Sequence, residues 1–398
     1  MLDFARARAL LIEAAQPIER RTTLPIEACL GRVLAADARA LSDSPPADVS
    51  TLDGYAIATR DLVQAGATRL RITQRIAAGQ TGMPLQPGEA ARIFTGAAMP
   101  PGADAIVAQE SARCEDGDVI FKHRPVPFED VRRQGADFRA DDVLVHAGTR
   151  LGPAHLGLAA SGGLAALEVR DRLRVALLTS GDEVTPPGQP LAPGHIYNAN
   201  GPMLRGLLEQ LGCTISHVEH LPDDFATTRA TLERLAGECD VILTSGGVSV
   251  GEEDHIKAAV ESLGRIDLWK VRMKPGKPLA FGQVAGTPFI GLPGNPVSGF
   301  ATFLLFAKPF LLARMGASVP PLRPLRLPAA FARPKAGDRR DFARGRLTPD
   351  QRVELYVNQG SGILNSLSWA EALVEIPEHA TVAPGDLVNV HLLAELLA

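Results

Sequence analysis

Between Arg170 and Gly316 short apolar runs alternate with segments of helical period. "LRVALLTSG" (173–181) reads as a strand, and "NGPMLRGLLEQLG" (200–212) as a helix. In that helix Met203, Leu204, Leu207, Leu208 and Leu211 share one face, and Gly212 supplies a stop. "CTISHVEHL" and "FATTRATLERLAGE" repeat the strand–helix pattern, and "DVILTSG" adds a third strand. "DHIKAAVESLG" follows as a helix with Ile256, Val260 and Leu263 in register. "IDLWKVRM", "PLAFGQV" and "TPFIGLPG" read as further strands and "NPVSGFATFLLFAKPF" as the last helix. Alternation of this kind predicts a doubly wound, mostly parallel sheet with helices on both faces.

The flanks have other textures. Residues 41–137 are rich in Gly and Pro, with short apolar runs such as "ARIFTG" and "DAIVAQE", which predicts a β-rich module. Within it, "DVSTLDGYAIATRDL" holds the turn dipeptide Asp53-Gly54, and spacing alone favours a hairpin turn there. The opening "MLDFARARALLIEAA" reads as an amphipathic helix without the apolar core of a signal peptide. From Pro320 a linker-like "PPLRPLRLP" leads to "VELYV", "ALVEIP" and "DLVNVHLL", period-2 segments that suit a small barrel or sandwich.

At 398 residues several domains are expected. A net charge of −4 without a basic tail, and only 5% aromatic residues, argue against nucleic acid and an anionic membrane as partners. The most apolar run, "FATFLLFAKPFLLARMG", is expected to be a buried helix, since Lys308 and Pro309 break it below bilayer length. Cys29, Cys114, Cys213 and Cys239 are far apart and form no CxxC pair, which points to a reducing, cytoplasmic setting. His217 and His220 read as ordinary structural histidines; a metal, if bound, would be a hard cation held by loop oxygens.

In an open α/β sheet the loops after the strands share one edge, and ligands bind there. Here those loops are "TSGDEVTPPG", "LPDD", "TSGGVSVGEED", "MKPGKP" and "GLPGNPVSG". They bring Glu183, Asp223, Asp224, Asp254, Lys274 and Lys277 to one rim, with glycines between. Any one loop alone would read as a polar turn; five loops of one sheet, mixing glycine, acid and lysine, favour a ligand site. Backbone N–H groups of Ser245, Gly246, Gly247 and Ser249 suit an oxyanion or phosphate, and Lys274 and Lys277 add positive charge. Asp254 and Glu183 suit Mg²⁺. In the tail, Arg339, Arg340, Arg344 and Arg346 read either as a solvated basic face or as a phosphate-facing rim.

Taken in order, "TLDGYA", "RIFTGA", "TSGDE", "TSGGVSVGEED", "KPGKP" and "LPGNPVS" resemble the molybdopterin molybdenumtransferases, bacterial relatives of the E domain of gephyrin. The resemblance spans nearly the whole chain. It implies insertion of molybdenum from molybdate into adenylylated molybdopterin, with Mg²⁺-dependent release of AMP. It also implies four units: an elongated N-terminal domain (1–40 and 138–169), a β-rich domain (41–137), an α/β molybdopterin-binding domain (170–319) and a C-terminal β-barrel (320–398). By position it places functional acids at Asp53, Asp137, Glu183, Asp223 and Asp254, with Glu183, Asp223 and Asp254 as metal ligands. It places substrate contacts at Thr95, Lys274, Lys277, Pro293, Pro296, Arg344 and Ser361. Leu52 stands where many relatives carry Met, and Ala136 where many carry an acid. The resemblance further implies a homodimer with a site shared between subunits, and it admits contact with the adenylylating enzyme of the same pathway. Two other readings fit parts of the pattern: an adenylyltransferase acting one step earlier, and a non-catalytic scaffold.

Overall fold

The computed structural model describes residues 1–247 and 255–398. A first helix, α1 (Phe4–Ala14), is capped by Asp3, whose carboxylate accepts the Arg6 N–H. Residues 21–25 and 166–170 then pair antiparallel, as do 38–39 and 143–145, so segments far apart in sequence share one small core. Helix α2 (Pro153–Ser161) packs into it through Ala159.

The glycine- and proline-rich region forms a six-stranded sheet. Its strands are β1 (Gly54–Ile57), β2 (Thr68–Ile76), β3 (Glu89–Ile93), β4 (Ala105–Ala108), β5 (Ala112–Glu115) and β6 (Asp118–Phe121), in the order β4-β1-β3-β2-β6-β5. The expectation of a hairpin turn at Asp53-Gly54 is corrected. Gly54 opens β1, and a Cβ there would lie 2.2 Å from the Val107 carbonyl oxygen. The glycine serves close strand approach, not a turn.

A second six-stranded sheet carries the strand–helix alternation. It comprises β7 (Arg174–Ser180), β8 (Thr214–Leu221), β9 (Val241–Ser245), β10 (Gly264–Trp269), β12 (Ala280–Val284) and β13 (Thr287–Leu292), in the order β8-β7-β9-β13-β12-β10. Its helices are α3 (Asn200–Leu211), α4 (Phe225–Ala236), α5 (His255–Leu263) and α6 (Pro296–Arg314). The sheet is mixed but mostly parallel, as the alternation predicts: β8, β7, β9 and β13 pair parallel, and β12 alone runs against the rest, pairing antiparallel with both β13 and β10. The short link from β12 to β13 is a hairpin, too short for a crossover. Alternate residues feed two cores. Val175, Leu177 and Leu243 meet α1, α3 and α6 on one face; Ala176, Leu178 and Ile242 meet α4 and α5 on the other.

Lys308 and Pro309 do not break α6. A π-turn over Phe303–Ala307 widens the helix just before them, and the Lys308 N–H donates to the Phe303 carbonyl. That shift relieves the clash a proline ring makes with the preceding turn. By length and composition α6 could cross a membrane, yet most of it is buried in the core. The Lys308 ammonium donates to the Leu396 carbonyl at 2.6 Å, and burial draws its pKa down to about 8.

The last sheet joins β11 (Met273–Lys274), β14 (Leu325–Pro328), β15 (Arg340–Leu347), β16 (Val353–Leu355), β17 (Ala372–Ile376) and β18 (Leu387–Leu392). Its order is β11-β15-β17-β18-β14, and β16 pairs with β15 further along the edge that β11 occupies, opposite β17. A bridge from Ala329 to Val353 brings the end of β14 onto β16 and curls the sheet back on itself. The lysine-rich turn therefore leaves the α/β sheet and pairs with Arg340 and Asp341.

Candidate functional site

The carboxyl ends of β7, β9 and β13 meet in a tight knot. Gly246 and Gly247 take φ values of +95° and +64°, which side chains resist. A Cβ on Gly246 would lie 2.8 Å from Ser180 Oγ, so glycine lets the second loop press on the first. The Gly246 N–H donates to the Leu292 carbonyl at 3.1 Å. Asn200, the first residue of α3, donates to Ser245 Oγ at 2.9 Å and to the Gly294 carbonyl at 2.6 Å. Asn198 accepts the Gly201 N–H at 2.8 Å and donates to Thr179 Oγ1 at 3.1 Å. One asparagine starts the helix and the other ties it to two strand ends.

Above this knot lies a cleft of about 820 Å³. Of the residues singled out by sequence, Glu183, Asp223, Ser245, Gly246, Gly247, Pro293 and Pro296 line it. The first turns of α3 and α6 also line it, through Asn200 and through Pro296 and Ser298. The N-termini of α3 and α6 favour an anion in the cleft through their dipoles, while the Gly246 N–H is already taken by Leu292. The buried Oδ1 of Asn200 has no hydrogen-bond partner among the described residues.

The two acids of "LPDD" separate. Asp223 faces the cleft, and it and Asp182 each accept the other's N–H at 3.1 Å. Asp224 caps α4 by accepting the Thr227 N–H at 2.7 Å, and hydrogen bonds from Thr227 hold its carboxyl below the usual range. Glu183 folds over Gly181, where a Cβ would lie 2.4 Å from its Oε2. Ser249 and Asp254 lie outside the described residues.

Other expected contacts stand away from the cleft lining. Lys274 approaches Asp341 Oδ2 at 3.8 Å, and that buried carboxylate also pairs with Arg333. Lys277 is exposed, and its carbonyl accepts the Val271 N–H. Arg344 is buried; it donates to Ser366 Oγ at 3.0 Å and to the Gly360 carbonyl at 3.0 Å. Its guanidinium therefore holds the 358–366 segment in place. The Ser361 carbonyl accepts the Val297 N–H, and Gly362 and Leu364 beyond it reach the cleft.

Asp53 and Thr95 come together, but on the β-rich sheet. Asp53 Oδ1 accepts the Thr95 N–H at 2.9 Å and hydroxyl at 2.8 Å, and these bonds hold its carboxyl below the usual range. Asp137 is exposed, 3.8 Å from Arg132. Neither these acids nor Thr95 line the cleft of their own chain. Sequence reasoning missed Asn198, Asn200, Tyr197 and Leu364. The signal for the first two was present, since "NANG" before an amphipathic run is a helix-start pattern.

Three family regions match along the chain: the MoeA N-terminal region (domain I and II) at residues 2–163, the probable molybdopterin binding domain at 176–313, and the MoeA C-terminal region (domain IV) at 326–393. A molybdopterin molybdenumtransferase from Haemophilus influenzae is 34% identical, with 100% of each chain covered. The chain belongs to the molybdopterin molybdenumtransferase family. Molybdopterin molybdenumtransferase 2 of Mycobacterium tuberculosis is 37% identical over 98% of both chains. The crystal structure of the molybdopterin biosynthesis moeA protein from Pyrococcus horikoshii OT3 superposes with a TM-score of 0.86 at 28% identity, covering 98% of this chain and 100% of that one. Full-length agreement places the chain with the molybdenumtransferases of molybdenum cofactor biosynthesis, ahead of a single-domain adenylyltransferase.

Proposed function

We propose that this chain takes adenylylated molybdopterin and molybdate, places molybdenum at the dithiolene and releases AMP. The observation that carries the reading is the composition of the cleft. Gly246, Gly247 and the N-termini of α3 and α6 line it together with Glu183 and Asp223. The helix N-termini suit the phosphate bridge and the molybdate dianion. The acids suit a hard cation: two cleft-lining carboxylates are the oxygen donors Mg²⁺ takes alongside waters and substrate phosphates. Glu183 and Asp223 would hold it, and Mg²⁺ would there offset negative charge on the phosphoryl oxygens. Asn200 fixes the loops through its bonds to Ser245 and Gly294. Four free cysteines support a reducing, cytoplasmic setting.

The site is completed by a second copy in this reading. The Asp53–Thr95 pair belongs to the family motifs yet lies off its own chain's cleft, so a homodimer would supply it from the partner. Mixing Asp53→Ala chains with Glu183→Ala chains should restore part of the activity through hybrid dimers with one intact site. A monomer with full activity by light scattering would overturn the shared site. The reading as a whole is tested by incubating the protein with adenylylated molybdopterin, with and without molybdate, and measuring AMP. Molybdate-dependent release without ATP consumption is expected.

A further inference from the structure

The cleft also has apolar lining that the anion and metal roles leave unused. Ile196, Tyr197 and Leu364 all line it, and they stay 57%, 48% and 40% exposed. Apolar area left exposed in the lining of a polar cleft is area that a bound ligand can cover. Tyr197 is the single aromatic residue among the described residues that line the cleft. The chain has only 3 tyrosines, so its placement there is informative.

This lining is built rather than incidental. Residues 184–185 and 196–197 form a short parallel ladder, in which Thr185 faces Tyr197. The Ile196 N–H donates to the carbonyl of Glu183, and the Asn198 N–H to that of Thr185, both at 2.9 Å. The strand that carries Tyr197 is thus bonded directly to the segment that carries the cleft acid. The Tyr197 hydroxyl donates to the Gln189 carbonyl at 3.1 Å, which tethers the ring by its edge and leaves its apolar body accessible. Leu364 arrives from the segment that the buried Arg344 holds. Asn198, next to Tyr197 in the chain, lines the same cleft as a polar group that can bond the edge of a flat ring.

We infer that Tyr197 is the stacking platform for a planar heteroaromatic ring of the substrate, whose phosphates lie toward Gly246 and Gly247. This rests on the transferase reading above. Adenine and pterin share the required chemistry, a flat π-face with a hydrogen-bonding edge.

The test uses the full-length protein as wild type, Tyr197→Phe and Tyr197→Leu, titrated calorimetrically with AMP and with 6-hydroxymethylpterin. Removing the aromatic face should weaken one probe about tenfold, the usual scale of base–aromatic stacking, and Tyr197→Phe should restore it to within about twofold. The probe that weakens identifies the ring. In turnover, the same loss should appear in KM for adenylylated molybdopterin more than in kcat. Melting temperatures should match, since the side chain is half exposed. Three results would overturn the platform: equal binding of both probes by Tyr197→Leu, equal losses in the Phe and Leu variants, or a wild type that binds neither probe. Wild-type AMP release is measured in parallel. Release with no Tyr197 effect removes the platform alone; a Tyr197-dependent probe without release removes the transferase reading alone.

Discussion

At the scale of single residues, chemistry is divided between neighbours that look alike in sequence. Asp223 and Asp224 are adjacent carboxylates in one loop, yet the first lines the cleft and the second caps α4. An amide caps a helix about as well as a carboxylate. Asp224→Asn should therefore keep both melting temperature and molybdate-dependent AMP release. Asp223→Asn removes charge from the cleft and should lose most of that release, with partial recovery at high Mg²⁺. Comparable activity in the two variants would return Asp223 to a structural role. Sequence brought both acids to the rim and could not choose between them, because the choice depends on where α4 starts. Arg344 was illegible for a related reason: its motif position shows, whereas its burial under the 358–366 segment depends on the curl of the C-terminal sheet.

At the scale of elements, the glycine turn after β9 is the most demanding feature. It was legible, since "TSGD" and "TSGG" echo each other as two strand-end turns of one sheet. The mutual contact between those turns was not, and it separates two kinds of glycine. Gly286, in the hairpin after β12, has φ +87° and open space where a Cβ would stand, whereas Gly246 has φ +95° and Ser180 at 2.8 Å. Gly286→Ala should cost about 1–2 kcal/mol of stability through its backbone alone and leave turnover intact. Gly246→Ala should cost more, because Ser180 must move, and should lower AMP release at least tenfold by about the scale of one misplaced loop. Urea unfolding with the AMP assay checks both. The pairing of Lys274 with the C-terminal sheet was not legible at this scale, although Pro278 of the same loop does line the cleft. A two-residue strand carries little periodicity, and β11 is defined only by its distant partners Arg340 and Asp341.

At the scale of the whole molecule, the modules are tied by charge as well as by apolar packing. Asp240, just before β9, is buried and receives Arg20 from the N-terminal region at 3.0 and 2.7 Å, together with the Arg174 N–H at 2.8 Å and its guanidinium at 3.1 Å. Burial alone would raise this carboxyl; the hydrogen bonds from Arg20 and Arg174 outweigh it and bring the pKa down to about 2. Unfolded, an aspartate titrates near about 3.9. The native state thus binds this proton less readily than the unfolded chain, and the bonded carboxylate stabilises the fold fully only above about pH 4. That contribution is lost as pH falls from about 4 toward 2. Both guanidiniums are nearly half exposed, so solvent screens the cluster and its worth is about 1–2 kcal/mol. Asp240→Asn should lose that amount at neutral pH, measured by urea unfolding, and the gap to wild type should close as both are titrated down toward about pH 2. A gap that stayed constant across this window would mean that Asp240 acts through packing, and the charge link between the N-terminal region and the α/β sheet would have no energetic weight.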